Sequence, residues 1–74
     1  MPLFAEGHTK VYSHTQAVAN TTWSINHNFG EKYVIAYAYD TLNNRIDGKT
    51  VLVDTNNCNI VFDEPIDGYA LIIH

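Results

Sequence analysis

One cysteine, two prolines and four basic residues are all that this 74-residue chain holds of those residue types. The lone Cys58 excludes an intrachain disulfide and any Cys-x-x-Cys metal knuckle. The cations Lys10, Lys32, Arg45 and Lys49 stand apart from one another against eight carboxylates, giving a formal charge of −4. Nucleic-acid binding needs a basic stripe to neutralise phosphates, and anionic membranes repel such a balance, so neither is an expected partner. No apolar run approaches the length of a membrane span. Residues 1–10, MPLFAEGHTK, lack the basic segment and apolar stretch of a secretion signal, so synthesis in the cytoplasm is expected. Asn20-Thr21-Thr22 then fits the glycosylation pattern only by chance.

Helix signals are missing as well, because no segment carries apolar residues at three-and-four spacing between caps. β-Branched and aromatic residues instead alternate with polar or small ones between turn-forming clusters, the pattern of an all-β domain. Residues 9–19 predict one or two strands, residues 21–27 a further one with Trp23 and Ile25 on one face. In residues 33–40, YVIAYAYD, Tyr33, Ile35, Tyr37 and Tyr39 share one face and Val34, Ala36 and Ala38 the other. Two apolar faces imply a strand covered on both sides. A short Arg45-Ile46 strand and an Asp47-Gly48 tight hairpin follow, then strands over 50–54, 58–63 and 69–74, the last two separated by an EPIDG turn. Cys58, Ile60 and Phe62 fall in the inward phase. This spacing predicts one small antiparallel β-sandwich or barrel, with residues 1–20 as an N-terminal arm or edge strand and 21–74 as the domain proper. A single core in so short a chain is marginal without a staple, so oligomerisation is the expected extra source of stability.

Residues able to carry chemistry are present but unassembled. His8, His14, His27 and His74 show no ligand spacing, so no metal site is expected. Cys58 with His27 and Asp63 or Asp54 would supply a nucleophile, a base and an orienter. Yet the inward phase of Cys58 suits an inert thiol, and neither a nucleophile elbow nor a Gly-rich phosphate loop occurs. No catalysis and no cofactor are expected. The tyrosine stripe invites two readings: sugar stacking, or the more usual core and subunit contact. In WSINHNFG (residues 23–30), Trp23 and Ile25 are expected in the core. His27 and Asn28 would tie down a corner that Phe29 and Gly30 turn, the imidazole donating at one nitrogen and accepting at the other.

A Trp-x-Ile-x-His-Asn-apolar-Gly strand end stands at Trp23, Ile25, His27, Asn28, Phe29 and Gly30. A strand then closes on Asp40, and Ile46 follows its turn. Next comes an Asp-x-Asn turn at Asp54 and Asn56, with Ile60 and Phe62 after it, and a last strand carries Gly68, Ala70 and Leu71. Over residues 21–74 this rhythm resembles a small β domain of bacteriophage virion proteins, found in tail-fibre and other head- or tail-associated proteins. The chain departs from that pattern in reading Glu31-Lys32-Tyr33-Val34 where a Pro often follows the Gly, and residues 1–20 fall outside it. The resemblance implies a non-enzymatic structural component of a phage particle, located in the virion: a capsid decoration, fibre-adaptor or tail-associated protein. Its partners would be copies of itself, first expected as a trimer, and other capsid or tail proteins. Phe4, Val11, Tyr12, Tyr37, Tyr39 and Tyr69 are the expected interface residues. A glycan- or receptor-binding module of a phage adhesin is the alternative.

Overall fold

The computed structural model describes residues 10–74 as a single antiparallel sheet. Its strands are β1 (Val11–Asn26), β2 (Ile35–Asp40), β3 (Arg45–Ile46), β4 (Lys49–Leu52) and β5 (Asn57–Ile73). β5 is the spine. One of its edges pairs with β1 near both ends; the other pairs with β2 along residues 68–73 and with β4 along residues 58–61. β3 adds to β2 through Ala38↔Ile46 and Tyr39↔Arg45.

The β1–β5 ribbon is creased in the middle. Between the pairs Gln16↔Gly68 and Asn20↔Ile66, residues 17–19 of β1 face only Asp67. Between Asn20↔Ile66 and Thr22↔Val61, residues 62–65 of β5 face only Thr21. Each excursion is a bulge, which bends and twists a ribbon locally. Pro65 lies in the second one, where a missing N–H removes no ladder bond. Beyond the crease the register differs by one residue from that before it, so β1 exchanges its inward parity. Tyr12, His14 and Gln16 lie opposite inward-facing β5 positions at one end, and Trp23 and Ile25 do so at the other. β5 keeps a single parity throughout: Cys58, Ile60, Phe62, Ala70 and Ile72 are all buried.

The crease turns one sheet into two facing layers. A four-stranded layer holds the start of β1, the end of β5, β2 and β3. A three-stranded layer holds the end of β1, the start of β5, and β4. Their inner faces meet in one core of Trp23, Ile25, Ala38, Cys58, Ile60, Phe62, Ala70 and Ile72. Trp23 is wholly buried at the crease. Its ring packs edge-on to Phe62 at 4.8 Å, and its indole N–H donates to the Ile66 carbonyl across the fold at 2.9 Å. That bond gives the buried indole N–H its partner, on a carbonyl between the two bulges.

Several expectations are corrected. The first two predicted strands are one, β1, and the last two are one, β5, because EPIDG is a bulge within a strand and not a turn. Asp47-Gly48 forms no tight hairpin: β3 pairs with β2 whereas β4 pairs with β5, so this dipeptide crosses between layers. Gly48 serves close approach there, since a Cβ would sit 2.6 Å from Phe62 Cε1 and 2.7 Å from Ile60 Cγ2. Among the described residues no second layer covers the tyrosine face of β2; only the Ala36/Ala38 face turns inward to the core.

Gly68 marks where β2 ends against β5. Its φ is +152°, and a Cβ would lie 2.0 Å from the Tyr39 carbonyl oxygen and 3.0 Å from Asp40 Cα. Both obstacles are backbone and neither can swing aside. Gly68→Ala is therefore expected to lower stability by roughly 3 kcal/mol or more. Urea denaturation followed by circular dichroism measures it, and a loss below about 1 kcal/mol would contradict the close packing.

Candidate functional site

Folding the ribbon brings both ends of β5 to one margin of the molecule, where residues 27–34 cross from β1 to β2. Here WSINHNFG acts as a clasp. Asn56, just before β5, is its anchor. The Asn56 carbonyl accepts the N–H groups of His27 (2.9 Å) and Asn28 (3.1 Å), and its side-chain Oδ1 accepts that of Gly30 (2.9 Å). Asn28 and Gly30 have φ of 58° and 74°, which turn the chain tightly enough for these donors to converge. The Asn26 amide donates to Asn57 Oδ1 at 2.8 Å. On the far side Lys10 Nζ donates to the Phe29 carbonyl at 3.0 Å. The His74 ring donates from Nδ1 to the Tyr33 carbonyl at 3.0 Å, with Glu31 3.8 Å from its other nitrogen. The crossing segment is thus tied to the beginnings and ends of both long strands.

His27 lies inside the clasp, 4 % exposed. Its Nδ1 accepts the Phe29 N–H at 3.1 Å, which puts the proton of the neutral ring on Nε2. Nε2 is buried without a partner among the described residues, so the expected donor and acceptor pair is realised only on the acceptor side. A buried donor left so costs about 1–3 kcal/mol. Burial pushes the His27 pKa below its ordinary 6.5; Asp54 opposes that shift and His74 adds to it.

Two aspartates close turns by the same chemistry. Asp40 Oδ1 accepts the N–H groups of Leu42 and Asn44, both at 2.9 Å. Asp54 Oδ1 accepts the Asn56 N–H and the Asn57 amide, also at 2.9 Å. The hydrogen bonds hold both carboxyls below the usual carboxylate range, led by Asn44 for Asp40 and by Asn56 for Asp54. Asp54 thereby fixes the asparagine that fixes the clasp.

The other gathering of predicted residues is the outer face of the four-stranded layer. Val11, Tyr37, Tyr39 and Tyr69 all point there, joined by Ile35, Leu71 and Ile73. Rows run across three strands: Val11, Ile73 and Ile35, then Ser13, Leu71 and Tyr37, then Thr15, Tyr69 and Tyr39. Val11 is 61 % exposed and Ile35 57 %. Tyr39 and Tyr69 stack at 5.1 Å, Arg45 lies over the Tyr37 ring at 4.8 Å, and the Tyr69 hydroxyl donates to Asn43 at 3.1 Å. Tyr12 is corrected: opposite Ile72 it faces inward and packs on the core, because alternation along β1 sets it against Val11. Phe4 and His8 lie outside the described residues.

Among the described residues no three His, Cys, Asp or Glu side chains converge. Cys58 is buried in the core, and burial pushes its thiol pKa up, away from the reactive thiolate. A crevice between Ala38, Ile46, Gly48 and Ile60 offers about 50 Å³, room for a few waters and far below a substrate pocket. Comparison with known proteins finds no matching family model, no matching curated protein and no matching solved structure.

Sequence reasoning missed Asn56, Lys10 and His74 as clasp residues. The Asp54-x-Asn56 spacing is the signal for the first, since a carboxylate two residues before an asparagine makes an Asx turn. Nothing local marks the other two, which are joined to the clasp by the fold alone.

The clasp predicts a pH dependence. With its pKa depressed in the folded state, His27 binds fewer protons there than in the unfolded chain, so stability rises with pH. Its contribution is complete above about 6.5 and declines as pH falls below that; Asp40 and Asp54 act in the same sense only below about 4. His27→Asn keeps an acceptor near Nδ1 and removes the titration. Urea melts at pH 7.5 and 5.5 are expected to show wild type losing stability on acidification and the variant losing less; equal slopes would contradict the burial effect.

Proposed function

We propose that this chain is a non-enzymatic structural component of a bacteriophage particle, acting by self-association and by protein–protein contact through its outer tyrosine face. The observation that carries the contact part is the face itself. Aliphatic and aromatic side chains run across three strands on a surface that no other layer of the described residues covers, and monomeric domains rarely leave such continuous apolar area open. Aromatic residues beside an arginine are the usual composition of an interface centre. Tyr39 stacked on Tyr69 and Tyr37 beneath Arg45 form a stiff platform, which limits the entropy lost when a partner docks. The phage setting draws its support from the sequence rhythm of residues 21–74, and the clasp gives that rhythm a structural purpose at His27, Asn28, Gly30, Asp54 and Asn56.

The ring geometry leaves less room for sugar stacking than a free tyrosine does: Tyr37 has one face under the guanidinium, and Tyr39 and Tyr69 each give one face to the other.

Particles purified from cells replicating the genome that encodes this chain are expected to contain it at a fixed copy number by mass spectrometry. Finding it only in the soluble fraction would overturn the particle assignment. A Tyr37→Ser/Tyr39→Ser double variant should fold but incorporate at least tenfold less; equal incorporation would remove the face from the contact.

A further inference from the structure

We infer that the first part of β1 is a docking edge for a second copy of this chain, paired antiparallel about a twofold axis at Ser13. This deepens the self-association in the reading above.

The hydrogen-bond phase of β1 identifies the open groups. Lys10 and His74 exchange both backbone bonds, each 2.9 Å, in the register that continues as Val11↔Ile73. In an antiparallel ladder such pairs recur at every second residue, so Tyr12, His14 and Gln16 direct their N–H and C=O groups at β5. Val11, Ser13 and Thr15 direct theirs away from it. β1 is the outermost strand, so among the described residues these groups meet no neighbouring strand.

Natural sheets protect such an edge with lysine, proline or inward charge. β1 reads VYSHTQAVANTTWSIN and contains no proline, lysine, arginine, aspartate or glutamate along its 16 residues. Past the crease the edge is partly occupied, because the Thr22 N–H donates to the Asn20 side chain at 3.0 Å. Among the described residues the first segment has no such plug.

A second copy fits this segment. Antiparallel pairing centred on Ser13 sets Val11 against Thr15 of the other copy, Ser13 against Ser13, and Tyr12 against His14. The outward groups of each copy then face outward groups of its partner, giving about six hydrogen bonds. No like charges oppose each other; Lys10 meets Gln16. Val11 and Thr15 also border the tyrosine face, so the two faces become one continuous platform across the axis. Such a contact is isologous and closes at two copies, where the virion resemblance implies three.

The test is the mass of the full chain by size exclusion with light scattering, for wild type, Ser13→Lys and Ser13→Thr. Lysine would set two ammonium groups against each other at the axis, while threonine keeps a neutral strand former there. Ser13 is exposed and outward-facing, and circular dichroism checks that each variant folds. The expected result is a dimer for wild type and threonine and a monomer for lysine, with dissociation at least tenfold stronger. A wild-type monomer, a trimer, or a dimer indifferent to lysine overturns the edge. Should Ser13→Lys not fold, wild-type amide exchange decides: slow exchange at Val11, Ser13 and Thr15 supports pairing, and fast exchange overturns it. A trimer indifferent to lysine leaves the proposed function standing, whereas a dimer missing from particles leaves only the edge.

Discussion

This short chain builds both walls of its core from one creased sheet, and the rest of the molecule is arranged around that crease. The walls face each other because the β1–β5 ribbon is creased, and Trp23 fills the crease. The indole brings apolar bulk to the point where the ladder is broken. Its N–H also finds a partner there, in the Ile66 carbonyl between the two bulges. A purely apolar side chain would supply the first without the second. Local backbone irregularity and the largest buried side chain are therefore two halves of one solution.

The crease accounts for what was legible in the sequence and what was not. Period-two alternation reports the face of each residue within a regular stretch, so the inward sides of Trp23 and Ile25 and of Cys58, Ile60 and Phe62 were readable, whereas two apolar faces in residues 33–40 hid which one turns inward. It does not report whether neighbouring stretches belong to one strand. Pro65 and Gly68 read as punctuation, yet both lie inside β5, one in a bulge and one under the Tyr39 carbonyl. Asp47-Gly48 misled for a related reason: its glycine answers to Phe62 and Ile60, not to a turn. Val11 and Tyr12 cannot both belong to one exposed face, since they alternate along a regular stretch; the ladder partner Ile72 shows that Tyr12 is the inward one.

The two gatherings of predicted residues divide the work of the fold. The clasp is an inward-looking device. His27, Asn28 and Gly30 spend their polar groups on Asn56 and Phe29, and Asp54 holds Asn56 in turn. Such residues look like a site in sequence because histidine, asparagine and aspartate also serve catalysis and ligation. Here, apart from the unpartnered His27 Nε2, the hydrogen bonds they make join two ends of a ribbon. The outer tyrosine face is the opposite case. Its side chains are ordinary for a strand, and only their assembly across β1, β5 and β2 makes a surface.

The crease also separates the two layers in a second sense. Residues 17–19 and 63–65 are exposed and stand outside the regular pairing, so each layer keeps its own register independently of the other. A residue gained or lost inside a paired stretch would turn core side chains to solvent, but one gained or lost here only enlarges or shrinks a bulge. The corner is thus where this chain can change length in evolution, or accept an inserted label, without reversing the sense of either wall.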